Sequence, residues 1–200
     1  MKITGVIQAG GRSTRMGGEP KALLELGGKR IVERVIDALA AVLDDLLVVT
    51  NTPERYRFLD LPMVGDRWPE GGALGGIFTG LEAAGGDAVF NVACDMPFLQ
   101  PDVVRLVVAR AGDADVVIPR VDGQYETMHA LYAKACLAPM RTRLDAGQLK
   151  ITGFFSDVRV LEITADAVAR HGAPQTVFMN VNTPDELARA RALAAEIGRW

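Results

Sequence analysis

The stretch Ile3-Thr4-Gly5-Val6-Ile7-Gln8-Ala9-Gly10-Gly11-Arg12-Ser13-Thr14-Arg15-Met16-Gly17 opens the chain and carries its most informative pattern. Ile3 to Ile7 is a short apolar run of the kind that forms a buried strand. Gly10 and Gly11 at its end permit a sharp turn and a close approach of the backbone to a ligand. Successive backbone N–H groups in such a loop make a nest for anions. Arg12, Arg15 and, a little further on, Lys21 surround it with positive charge. A triphosphate fits such a cradle, which makes a nucleotide-using enzyme the leading reading. The loop is neither a GxxxxGK[ST] P-loop nor a G-x-G-x-x-G dinucleotide fingerprint.

Outward from this loop, apolar strand-like runs alternate with helical patterns. Leu23–Leu26 reads as a strand before the Gly27-Gly28 turn. Ile31, Val35, Leu39 and Val42 mark one buried face of a helix near Arg30–Leu43. Leu46–Thr50, Met63–Gly65, Ala88–Ala93, Asp115–Ile118, Met128–Tyr132, Val158–Ile163 and Phe178–Asn182 read as strands. A helix is expected after Gly72, with Ile77, Leu81 and Ala84 on one side. Others are expected over Pro101–Arg110, over Ala133–Asp145 with Pro139 interrupting or kinking it, and from Pro184 to Ile197. The alternation implies parallel pairing through helical crossovers, hence an α/β fold with a mostly parallel central sheet and helices on both faces. Ligands of such sheets bind at the carboxyl ends of the strands, where the motifs of this chain fall.

A chain of 200 residues with 49% hydrophobic and 24% charged residues suits a single domain, residues 1–200, with a sizeable core. The net charge of −3 argues against a nucleic-acid coat or a polybasic membrane contact, so attraction for nucleotides has to be local. Cys94 and Cys136 fit no CxxC metal pattern; the sequence leaves a disulfide open, and reduced thiols in a cytoplasmic protein are the expectation. There is no signal-peptide h-region and no apolar run of the ~20 residues that would span a bilayer.

Nucleotide transfer to an already ionised phosphate needs positioning and charge stabilisation more than a strong general base. Lys21 can reach an α-phosphate, and Arg15 can neutralise a departing pyrophosphate. Asp95, ending a strand in Cys94-Asp95-Met96-Pro97, offers the carboxylate that Mg²⁺ prefers. Gly71-Gly72-Ala73-Leu74-Gly75-Gly76-Ile77 reads as a helix entrance where backbone lies against a planar ligand, with Asp66 just before it. Asn51, after the second strand, can read a base edge. On a strand Asn180 and Asn182 would share a face and orient a phosphate or a metal. Thr183 and Glu186 form a capping box, with Pro184 at the first helical position. His129, alone on a strand, is read first as a packed residue.

These blocks resemble the nucleotidyltransferases that attach NMP groups to phosphates, with the signature AGGxSxRMGx…K met by Ala9 to Lys21. Within that superfamily the chain is most similar to the molybdenum cofactor guanylyltransferases. The resemblance runs from Gly5 to Leu187 and is dense in four blocks. It implies a Rossmann-like nucleotidyltransferase fold and transfer of GMP from GTP to molybdopterin or Mo-molybdopterin with release of pyrophosphate. It also implies Mg²⁺ on Asp95 and a nucleotide site built from Gln8, Ala9, Gly10, Gly11, Lys21, Asn51, Asp66 and Asp95. Asn180 and Asn182 would contact metal or pterin, His129 would lie toward the pterin side, and a molybdoenzyme or another cofactor-biosynthesis protein would receive the product. Three departures stand out. Gln8 replaces the usual leucine, Glu19-Pro20 precedes Lys21 where aspartate is usual, and Ala73 and Gly75 replace the proline and alanine of G-P-L-A-G-I. Gly11 favours guanine over the cytosine of the sibling cytidylyltransferases, which carry A-A-G. A cytidylyltransferase, a sugar-phosphate nucleotidyltransferase and a non-catalytic nucleotide-binding partner remain as alternatives.

Overall fold

The computed structural model describes residues 1–10 and 20–198. Gly11, Arg12, Ser13, Arg15, Met16 and Gly17 therefore lie outside the described residues. The first strand, β1 (Ile3–Gln8), is central. It pairs in parallel with β4 (Asp45–Val49) on one side and β6 (Ala88–Ala93) on the other. β5 (Met63–Val64) extends the sheet beyond β4, again in parallel. Beyond β6 the order continues through β9 (His129–Ala133), β7 (Val116–Val121) and β10 (Val160–Thr164), with β8 (Gln124–Tyr125) paired to β7. A small antiparallel ribbon, β2 (Glu25–Leu26) and β3 (Lys29–Arg30), stands apart.

Alternation along the strands divides the core into two layers. Ile7, Phe90, Val92, Val117 and Leu131 face one side, under α1 (Ile31–Ala40) and α3 (Pro101–Val108). Val6, Val89, Ile118, Ala130 and Tyr132 face the other, under α2 (Gly72–Ala83) and α4 (Leu137–Asp145). A third cluster packs Leu26, Ile31, Phe98, Met179 and Val181 beneath α7 (Pro184–Ile197), while the short helices α5 (Ala165–Ala169) and α6 (Pro174–Val177) bury Val168 and Val177 in the first layer. No described helix is long and apolar enough to cross a membrane.

The structure departs from the sequence pattern in four places. Leu23–Leu26 is mostly not strand, since Lys21–Leu23 forms a 3₁₀ turn and only Glu25–Leu26 is extended. β9 runs antiparallel to both β6 and β7, so the sheet is mixed at that end, because the connection from β7 is a short turn with no crossover helix. Pro139 kinks nothing: a 3₁₀ turn over Lys134–Cys136 comes first, and Pro139 falls in the opening turn of α4, where a missing N–H breaks no helical bond. Phe178–Asn182 is not a strand. It follows α6 as irregular chain, anchored where the Val181 N–H donates to the Asp95 carbonyl at 2.9 Å. Phe178, Met179 and Val181 are buried in successive core clusters, so this apolar run satisfies packing without joining the sheet.

Candidate nucleotide site at the carboxyl edge

β1 and β6 end side by side, with Gln8 opposite Ala93. The chain leaving β1 crosses the end of β4, where the Ala9 N–H donates to the Val49 carbonyl at 2.9 Å and the Thr50 hydroxyl donates to the Ala9 carbonyl at 3.0 Å. A cavity of about 350 Å³ opens on this edge and is lined by Gln8, Ala9, Gly10, Lys21, Asp66 and Asp95, with the first turn of α2 above. Six of the residues singled out in the sequence thus meet around one space, although they are spread over more than eighty positions of chain.

The wall under α2 is held by uncharged and backbone groups. Asp66 Oδ1 accepts from the Thr79 hydroxyl at 2.9 Å and from the Trp68 N–H at 2.9 Å. The Asn51 side-chain Oδ1 accepts from the Asp66 N–H at 2.8 Å, so Asn51 braces the Asp66 loop from outside the cavity. Gly72 turns the chain into the helix at φ 57°, a conformation that an L side chain adopts only with strain. Gly76 passes over Gln8 so closely that an added Cβ would meet Gln8 Oε1 at 2.5 Å. Gly75 is different: the Trp68 carbonyl occupies the space a side chain would need, which makes it a packing glycine. Only part of this glycine-rich entrance therefore serves the cavity.

The opposite end is built from ionisable groups. Asp95 follows β6 and is half-buried, and burial raises its carboxyl pKa. Lys21 pulls that pKa back down through its charge, while Glu186 pushes it further up. Lys21 Nζ donates to Asn182 Oδ1 at 2.9 Å, which ties the end of the irregular segment to the 3₁₀ turn after the loop. Glu186 Oε2 accepts from the Asn182 and Thr183 N–H groups at 2.6 and 2.9 Å, and the Thr183 hydroxyl accepts from the Glu186 N–H at 3.2 Å. The capping box of α7 thereby also holds Asn182 in place. Asn180 is exposed and does not share a face with Asn182, because the segment between them is not extended strand.

Two further residues have structural explanations. Cys94 is free, and burial raises its thiol pKa, which disfavours the thiolate a nucleophile would need. His129 is fully buried between Phe90 and Phe178, with ring centroids at 5.2 and 4.9 Å in edge-to-face contact. Neither ring nitrogen has a hydrogen-bond partner, and burial pushes the imidazole pKa down to about 3. It belongs to the core, as a lone histidine on a strand usually does.

Among the described residues no group of three or more His, Cys, Asp or Glu makes a self-contained metal site. Asp95 nonetheless suits Mg²⁺, which keeps several waters and takes one or two protein carboxylates beside phosphate oxygens. Its raised pKa marks a carboxylate short of compensating charge, which a divalent cation supplies. Sequence reading missed Asn91, Tyr56 and Met128. Tyr56 and Met128 line the cavity from loops with no recognisable motif. Asn91 carried a signal, as the one strongly polar residue within the apolar strand Ala88–Ala93.

A mostly parallel sheet that gathers a lysine, a carboxylate and a glycine-bordered cavity at its carboxyl edge has the architecture of a nucleotidyltransferase. Residues 5–158 match the MobA-like NTP transferase domain, and the chain belongs to that family. It is 35% identical over 195 residues to a probable molybdenum cofactor guanylyltransferase of Natranaerobius thermophilus, covering 94% of this chain and 95% of the relative. It is also 35% identical to the molybdenum cofactor guanylyltransferase of Desulfosudis oleivorans, over 98% of both chains. The fold is similar to that of a molybdopterin-guanine dinucleotide biosynthesis protein A from Archaeoglobus fulgidus, with a TM-score of 0.81 at 24% identity over 96% of this chain and 99% of the other.

Proposed function

We propose that this chain transfers GMP from GTP to the terminal phosphate of molybdopterin or Mo-molybdopterin. A phosphate oxygen of the acceptor attacks the α-phosphorus, the bond from that phosphorus to the bridging oxygen breaks, and pyrophosphate leaves. The observation that carries this reading is the single cavity shared by Gln8, Gly10, Lys21, Asp66 and Asp95. Lys21 would stabilise charge at the α-phosphate, Arg15 would meet the departing pyrophosphate, and Gly10 and Gly11 would cradle the chain of phosphates. Asp66, fixed by Thr79 and by Asn51, would accept from the nucleoside. Asp95 would hold Mg²⁺, which when bound neutralises phosphate charge and aligns donor and acceptor. Asn182, positioned by Glu186 and joined to Lys21, would orient the acceptor phosphate. The names of the relatives support guanine as the base and molybdopterin as the acceptor. The reading carries a cytoplasmic location and hand-over of the product to a molybdoenzyme or another cofactor-biosynthesis protein.

The test is pyrophosphate release with GTP, CTP, ATP and UTP, each with Mg²⁺ and molybdopterin. Release with GTP alone supports the reading. Release with CTP alone moves the assignment to cytidylyl transfer. GTP binding without release, from folded protein and verified acceptor, replaces the enzyme with a nucleotide-binding partner.

A further inference from the structure

Alternation along β1 puts Gln8 on the same face as Val6, toward α2, and alternation along β6 puts Asn91 on that face too. Asn91 is fully buried among apolar side chains. Its Oδ1 accepts from Gln8 Nε2 at 2.8 Å, and its Nδ2 faces the Met128 sulfur at 3.7 Å. The second Gln8 N–H points to the Ala73 carbonyl in the first turn of α2, at 3.4 Å. Both donors of the Gln8 carboxamide are thereby engaged, by Asn91 and by Ala73, and Oε1, which lies against Gly76 on the cavity wall, has no hydrogen bond among the described residues. Met128 stands on a turn pinned by the Tyr132 hydroxyl, which donates to the Thr127 carbonyl at 2.8 Å, and both Met128 and Gln8 line the cavity.

Stability alone does not call for this arrangement. A buried amide pair contributes little net free energy, and an apolar pair of the same shape is close to neutral. What the pair accomplishes is orientation: a side chain that could present either end of its amide is held with its oxygen beside Gly76, which lines the cavity with it.

We infer that Asn91 is a positioning residue for nucleobase selection, holding the Gln8 carboxamide so that an acceptor, and not a donor, meets the base. This favours a base edge that donates, as guanine does through N1–H and the N2 amine, over the acceptor nitrogen that adenine offers at N1. The inference rests on the GTP reading and adds to it a residue that never touches the nucleotide. Met128 completes the lock by giving Asn91 Nδ2 a partner, which sets which end of Asn91 faces Gln8.

The experiment is calorimetric binding of GTP and ATP, with Mg²⁺, to the intact protein, to Gln8→Leu, to Asn91→Leu and to the double variant, with thermal unfolding measured alongside. Each single substitution is expected to weaken GTP about five- to tenfold and leave ATP nearly unchanged, the loss of one neutral hydrogen bond. The double variant is expected to be no worse than either single one, because Asn91 acts only through Gln8. Additive losses, or equal weakening of both nucleotides, would make the pair a mere brace between α2 and the sheet and overturn the inference. Should Asn91→Leu fail to fold, Asn91→Ser removes the same contact by shortening, with the same expectation. Failure of the GTP reading is told apart at the first step. An unsubstituted protein with no preference for GTP over ATP overturns both, before any variant is compared.

Discussion

The two ends of the cavity are held together by different chemistry. Under α2, the wall formed by Gln8, Asn91, Asp66, Thr79 and Asn51 is braced by amides, a hydroxyl and backbone N–H groups. At the other end, Asp95, Lys21, Asn182 and Glu186 depend on charge, and His129 sits against Phe178 at the foot of the same segment. A base is a neutral, directional ligand, and neutral hydrogen bonds with fixed geometry suit it. A triphosphate is a charged ligand, and groups whose charge responds to one another suit it. The first end should be indifferent to pH near neutrality, and the second should not.

The largest effect is expected from removing the carboxylate itself. Asp95→Ala should lower the rate of pyrophosphate release on the order of 10²–10³-fold, the scale for loss of one transition-state charge contact. Burial raises the Asp95 pKa and a bound cation would lower it, so added Mg²⁺ should move the acid limb of the unsubstituted protein's rate profile to lower pH. An acid limb that does not respond to Mg²⁺ would show that Asp95 does not hold the metal.

His129 belongs to neither end and bears on stability alone. Its pKa is pushed down to about 3 in the folded chain from the ordinary 6.5, so the unfolded chain takes up the proton first. The contribution is full above pH 6.5 and is lost as the pH falls toward 3. Urea unfolding should therefore show His129→Leu losing less stability than the parent on acidification, by roughly 3 kcal/mol at pH 4. Parallel decline of the two proteins would mean that the imidazole finds a partner when protonated.

Asn182→Ala removes the neutral partner of Lys21 and should cost about tenfold in rate, within the range for hydrogen bonds to charged groups. KM for GTP should change less than kcat if Asn182 acts on the acceptor side; a change confined to KM for GTP would place it with the nucleotide. The smallest effect belongs to the other wall. Thr79→Val takes away the hydroxyl that holds Asp66 Oδ1 and should weaken GTP binding by about 1 kcal/mol with no change in the pH profile. A shifted profile would erase the distinction between the two ends.

Local chemistry was legible wherever it repeats or caps. The apolar run Ala88–Ala93 is β6 residue for residue, the helix from Pro184 to Ile197 begins with its capping box, and α1 follows the spacing of Ile31, Val35 and Leu39. Gln8, Gly10, Asp66 and Asp95 were legible as site candidates because each follows or ends a strand-like run, which in a wound sheet puts them on one edge, and Lys21 was legible as positive charge after the glycine loop. Their meeting around one cavity required the strand order, since no local pattern states that β1 lies between β4 and β6.

The parts that were not legible depend on partners distant in the chain. Phe178–Asn182 has the composition of a strand, but it joins no strand of the sheet and is fixed by the Asp95 carbonyl and by packing under α7. Asn91 could be seen as polar in an apolar run, yet its meaning comes from Gln8, 83 positions away, and from Met128. Short-range periodicity and capping are set by bonds within a few residues, so the order of residues alone specifies them. Register, strand order and the pairing of buried amides are set by which surfaces can be buried together, and that is decided when the chain packs.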